Sequence, residues 1–92
     1  MCGIIGISNL PDASKTVFLG LYALQHRGEE AAGIVSFDGK DTQIVKNRGL
    51  VADALSPHAL EGLKGQVAIG HTRYSTTGSS NIKNIQPFLV VH

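Results

Sequence analysis

The sequence predicts an α+β domain, a largely antiparallel sheet with helices packed on it. Three observations carry that expectation. Gly3-Ile4-Ile5-Gly6-Ile7 is a short apolar run rich in β-branched residues, the pattern of a buried strand. Residues 13–25 place Val17, Leu21 and Leu24 at helical spacing with Phe18 and Tyr22 beside them, which gives one apolar stripe. Asp38-Gly39 lies between two strand-like stretches, 32–37 and 42–46. That dipeptide is a strong hairpin signal, and a hairpin requires antiparallel pairing.

The remaining elements follow in chain order. Asn9-Leu10-Pro11-Asp12 reads as a turn or helix entry, with Asp12 or Ser14 as candidate cap. His26 and Arg27 close the first helix, where positive charge suits the helix dipole, and Gly28 suits a left-handed stop. Gly49 breaks the hairpin pattern, and residues 51–55 suggest a short helical turn. Ser56-Pro57 opens another helix, with serine as cap and proline at the first helical position, ending near Gly62 or Gly65. Residues 66–70 read as a strand and 71–80, polar and small, as a loop. The apolar stretch 85–92 reads as the entry to a further strand inside which the sequence stops, so a piece of a longer protein is expected.

Composition narrows the classes. Ninety-two residues suffice for one small domain. A net charge of +1, with the basic residues scattered, favours neither nucleic acid nor an anionic membrane surface. No apolar run reaches the length of a membrane span and the N-terminus lacks a signal-type segment, so the cytoplasm is the expected location. A single cysteine excludes an internal disulfide and agrees with a reducing compartment.

That cysteine, Cys2, is the first candidate for chemistry. Removal of Met1 would place a free α-amino group, of pKa about 8, on the residue that carries a thiol of pKa about 8.5. The amine could then accept the thiol proton, directly or through a water, with no separate histidine. A strand starting at Gly3 would hold Cys2 at a sheet end, and Gly3 would let a substrate come close to the backbone. An ordinary thiol at the second position is the competing reading. His26-Arg27-Gly28 is equally a plain helix end. The densest polar patch is Gly70-His71-Thr72-Arg73-Tyr74-Ser75-Thr76-Thr77-Gly78. There an arginine fork could grip a carboxylate and a Ser/Thr/Gly loop could hold the polar end of an amino acid, unless it is only a solvated loop. His26, His58, His71 and His92 lack metal-ligand spacing, so no metal is expected. A Cys2–His71 protease pair stays open, without local support.

Three segments in series resemble the class II glutamine amidotransferase domain, an N-terminal-nucleophile hydrolase. They are Met1-Cys2-Gly3-Ile4-Ile5-Gly6-Ile7, then residues 24–34 around Gln25-His26-Arg27-Gly28, then residues 70–80 with Gln86-Pro87-Phe88. Gln25-His26-Arg27-Gly28 and Arg73-Tyr74-Ser75-Thr76 favour the branch that couples the glutaminase to a phosphoribosyltransferase domain in purine synthesis. The hexosamine-forming branch more often has a tyrosine before the Arg-Gly and a tryptophan after the later arginine.

The resemblance implies a four-layer αββα sandwich, of which residues 1–92 would be the N-terminal portion. It implies that Cys2 attacks the glutamine side-chain amide, forms a γ-glutamyl thioester and releases ammonia. Arg73 would bind the substrate α-carboxylate, with Tyr74 and Thr76 in the loop that closes over it. Arg27 and Gly28 would lie near the nucleophile and help to position it. Phosphoribosyl pyrophosphate and Mg²⁺ would belong to the phosphoribosyltransferase domain, outside this chain, and the parent would be a homo-oligomer. The family's oxyanion Asn-Gly pair and the acidic residue that holds the substrate amine are not within the 92 residues, so this chain alone is expected to be inactive. The alternatives are the glutaminase half of another class II amidotransferase, of the hexosamine-phosphate synthase type, or a non-catalytic fragment.

Overall fold

Residues 3–24 and 31–73 are described by a computed structural model of the chain. The apolar run at the start forms strand β1 (Gly3–Ile7), and the amphipathic segment forms helix α1 (Ala13–Leu24). The hairpin is β2 (Ala31–Phe37) and β3 (Thr42–Arg48), followed by the short helices α2 (Val51–Ala54) and α3 (Pro57–Glu61) and by β4 (Val67–Arg73). The four strands form one sheet in the order β1-β4-β2-β3. Every neighbouring pair is antiparallel, as the sequence predicts.

Local chemistry sets several boundaries. The hairpin loop, residues 38–41, is tied by the Asp38 carboxylate, which accepts from the backbone N–H of Asp41 at 2.6 Å and of Lys40 at 2.9 Å. Those bonds hold the Asp38 carboxyl below its ordinary pKa. Ser56 caps α3 by accepting from the Ala59 N–H at 3.2 Å, with Pro57 next to it. The entry to α1 departs from expectation. Asp12 serves it through its backbone carbonyl, which accepts from Lys15 N–H at 3.0 Å. Ser14 is buried inside the helix and donates to the Leu63 carbonyl at 2.7 Å, bolting α1 to the segment that leads into β4.

Strand alternation sorts the sheet into two faces. One face, with Ile5, Ile34 and Ala68, packs with Val17 and Leu21 of α1 and with Val51, Ala54, Leu55, Leu60 and Leu63 into a single core. Gly70 is required there: a Cβ on it would lie 2.7 Å from Leu21 Cδ1 and would also press on Val17. The helix therefore sits against β4 at a distance that only a missing side chain allows. The opposite face carries Ile4, Phe37, Val67 and Ile69 in exposed positions, with Ile4 70% and Ile69 50% accessible.

One expectation is corrected. Residues 71–73 are not loop: His71, Thr72 and Arg73 continue β4, His71 and Thr72 paired with β1 on one side and all three with β2 on the other. Their polarity hides a central strand, because two flanking strands satisfy the backbone whatever the side chains are. The strand expected over 85–92 lies outside the described residues.

Candidate functional site

The site is built from one end of the sheet. At that end Gly3 pairs with Thr72, Ala32 also pairs with Thr72, and Ala31 pairs with both Arg73 and Arg48. Directly opposed residues share a face, so Arg48, Ala31 and Arg73 form a row on the face away from α1. Arg73 is half-buried and takes part in an interaction, whereas Arg48 is exposed. His71, two residues back on the same face, is buried.

Gly3, Thr72 and Ala32 form the matching row on the α1 face. A Cβ on Gly3 would stand 3.0 Å from Thr72 Oγ1 and 3.4 Å from Leu24 Cβ, so the first strand, the central strand and the end of α1 close tightly here. Thr72 is fully buried, and its Oγ1 has no hydrogen-bond partner among the described residues.

Of the predicted site residues, Arg73 is placed: it ends β4, one residue beyond the Gly3–Thr72 pair. Cys2, Arg27, Gly28, Tyr74 and Thr76 lie outside the described residues. Thr72 is a buried polar residue that the sequence does not single out. It was one hydroxyl among several in a polar patch, and nothing local marks it as buried.

Two other features carry less. A cleft of about 380 Å³, lined by Phe37, Asp38, Gly39, Gly65, Gln66 and Val67, lies at the far end of the sheet and holds no nucleophile. Among the described residues no three His, Cys, Asp or Glu side chains group as metal ligands, and no helix is long and apolar enough to cross a membrane.

Comparison with known proteins bears on this geometry. No family model matches the chain. A solved structure of "the allosteric regulatory enzyme of purine biosynthesis" superposes with a TM-score of 0.88 at 39% identity, covering 96% of this chain and 19% of that one. A glutamine phosphoribosylpyrophosphate amidotransferase from B. subtilis, complexed with ADP and GMP, gives 0.84 at 38% identity, covering 96% and 18%. The fold is therefore that of the N-terminal-nucleophile hydrolases, incomplete in this chain.

Within that fold the resemblance is to amidophosphoribosyltransferase. The Rhizobium etli enzyme of that name is 55% identical over 94% of this chain and 18% of its own length. The Methanocaldococcus jannaschii enzyme is 49% identical over 98% of the chain and 20% of its own length. The recognition made from the three motifs is borne out. The chain spans about a fifth of the length of these relatives.

Proposed function

We propose that these residues are the N-terminal portion of the glutaminase domain of an amidophosphoribosyltransferase, with Cys2 as nucleophile. The observation that supports the reading is the likeness to amidophosphoribosyltransferases, 55% and 49% identical over 94% and 98% of this chain, with Arg73 ending β4 one residue beyond the Gly3–Thr72 pair. A thiol nucleophile and a carboxylate-binding guanidinium in one site suit a small α-amino acid with a side-chain amide.

In the reaction, the α-amine freed by loss of Met1 takes the proton from Cys2 Sγ. The thiolate adds to the glutamine Cδ, giving a tetrahedral intermediate. The C–N bond then breaks, the amine returns the proton to the leaving nitrogen, and ammonia departs. Water adds to the γ-glutamyl thioester, the C–S bond breaks, and glutamate and the thiol are restored. Arg73 holds the substrate carboxylate through paired N–H bonds. Tyr74 and Thr76 belong to the closing loop, and Arg27 and Gly28 to the surroundings of the nucleophile.

The ammonia would be consumed by phosphoribosyl pyrophosphate, giving phosphoribosylamine. That step, and the Mg²⁺ expected for it, belong to a phosphoribosyltransferase domain outside these 92 residues. Oxyanion donors usually supply the largest single electrostatic stabilisation of such a transition state. The chain by itself is therefore expected to be inactive. We expect the whole protein to be a homo-oligomer in the cytoplasm, where a thiol nucleophile stays reduced.

The test is made on the full-length protein. Glutamine-dependent product should form with phosphoribosyl pyrophosphate as acceptor and not with fructose 6-phosphate. The reverse preference would assign the chain to the hexosamine-forming branch, and hydrolysis of glutamine with neither would leave a bare glutaminase.

A further inference from the structure

We propose that Arg48 is a second carboxylate-binding residue, which acts with Arg73 on the α-carboxylate of the substrate. The inference rests on the glutaminase reading above and on the part given there to Arg73.

Strand register brings the two arginines together. Ala31 of β2 pairs with Arg73 of β4 on one side and with Arg48 of β3 on the other. Directly opposed residues of a sheet share a face, so both arginines stand on the side away from α1. Opposed Cβ atoms lie about 4.5–5.5 Å apart, so the two side chains start about 10 Å from one another. Each then carries a long aliphatic stem before its guanidinium, enough for two forks to converge on one small ligand. Ala31, between them, contributes only a methyl group. It is 1% exposed, so the floor of the row is dry. Charges held close to such a floor are screened less than charges on an open surface.

The next row has the same character. Gly33 pairs with Lys46 on one side and with His71 on the other. This end of the face thus carries two arginines, a lysine and a histidine around Ala31 and Gly33, the two residues with least bulk.

The two arginines differ in a way that suits separate tasks. Arg73 ends the strand between β1 and β2, is half-buried and already takes part in an interaction. Arg48 ends β3 and is exposed. A carboxylate offers about four lone-pair sites, so a bidentate bond from one arginine leaves acceptors for a second. The planar fork of arginine matches them and is weakly hydrated, so little solvation is lost when an exposed guanidinium turns onto the ligand.

The effect has a kinetic signature. The α-carboxylate is remote from the amide that reacts, and its charge is the same in the ground state and the transition state. Loss of a contact to it removes uniform binding, which raises KM and leaves kcat alone.

The experiment uses the full-length enzyme and the variants Arg48→Gln, Arg48→Lys, Arg48→Glu and Cys2→Ala. Glutamine kcat and KM are measured separately, and turnover with ammonia as nitrogen donor reports the integrity of the rest. For Arg48→Gln we expect the KM for glutamine to rise about tenfold, as for loss of one hydrogen bond to a charged group, with kcat held. Arg48→Glu, which sets a negative charge beside the carboxylate, should raise KM further. Arg48→Lys should restore part of the loss, since it keeps the charge and loses the fork. An unchanged KM in Arg48→Gln, a loss confined to kcat, a parallel fall in the ammonia-dependent rate, or Arg48→Glu no worse than Arg48→Gln would each overturn the proposal. Cys2→Ala separates the two levels. If it still hydrolyses glutamine, the glutaminase reading itself fails; if it is inactive while Arg48→Gln keeps the wild-type KM, only the role of Arg48 fails.

Discussion

On the helix-covered face of the sheet, Ile5, Ile34 and Ala68 meet Val17 and Leu21, and Gly70 gives up its side chain so that α1 can come closer. On the opposite face, Ile4, Phe37, Val67 and Ile69 are exposed, while the edge near Gly3 carries Arg73. One face is finished by the chain's own helices and accounts for its stability. The other is apolar in its middle and charged at one end, as expected of a surface on which an αββα sandwich stacks a second sheet beside the chemistry. Thr72 and Ser36 are buried polar side chains on the packed face.

The contrast can be broken from either side. Leu21 is fully buried beneath α1, so Leu21→Ala should cost about 2–5 kcal/mol, read as a lower denaturant midpoint of the intact protein. Ile69 tests the other face. If a second sheet covers it in the intact protein, Ile69→Ser should cost about 1.5–3 kcal/mol, the value of burying such a side chain. A change within about 0.5 kcal/mol would mean that this face stays in water. The smallest effect belongs to the hairpin loop, remote from both faces. The Asp38 carboxyl is held below its ordinary value of 3.8, chiefly by the Asp41 N–H and next by that of Lys40. A depressed carboxylate contributes stability above its unfolded pKa and loses it as pH falls through the folded one. Amide exchange of Asp41 should therefore speed up only below about pH 4, and Asp38→Ala should abolish that pH dependence.

How much of this was legible beforehand depended on whether the signal was local. Gly3 to Ile7, the Asp38-Gly39 turn and Ser56-Pro57 each encode their structure within a few residues, and each forms as expected. His71, Thr72 and Arg73 do not. They are strand because β1 and β2 flank them, and that depends on a sheet order no local pattern reveals. Ser14 likewise looks like a cap until Leu63, distant in sequence, provides its acceptor. The site divides in the same way. Arg73 was marked by the resemblance and lies, half-buried, at the end of β4. Thr72 is buried only once three elements have met around it.

Cys2, with a free α-amine, is the residue proposed to react with glutamine. Intact-mass analysis and peptide mapping of the full-length protein after treatment with a glutamine-analogue alkylator test it most directly. We expect loss of Met1 and a single adduct on Cys2, blocked by excess glutamine and greatly slowed in Arg73→Ala. Retention of Met1 in active protein, or an adduct elsewhere with Cys2 unmodified, would contradict it.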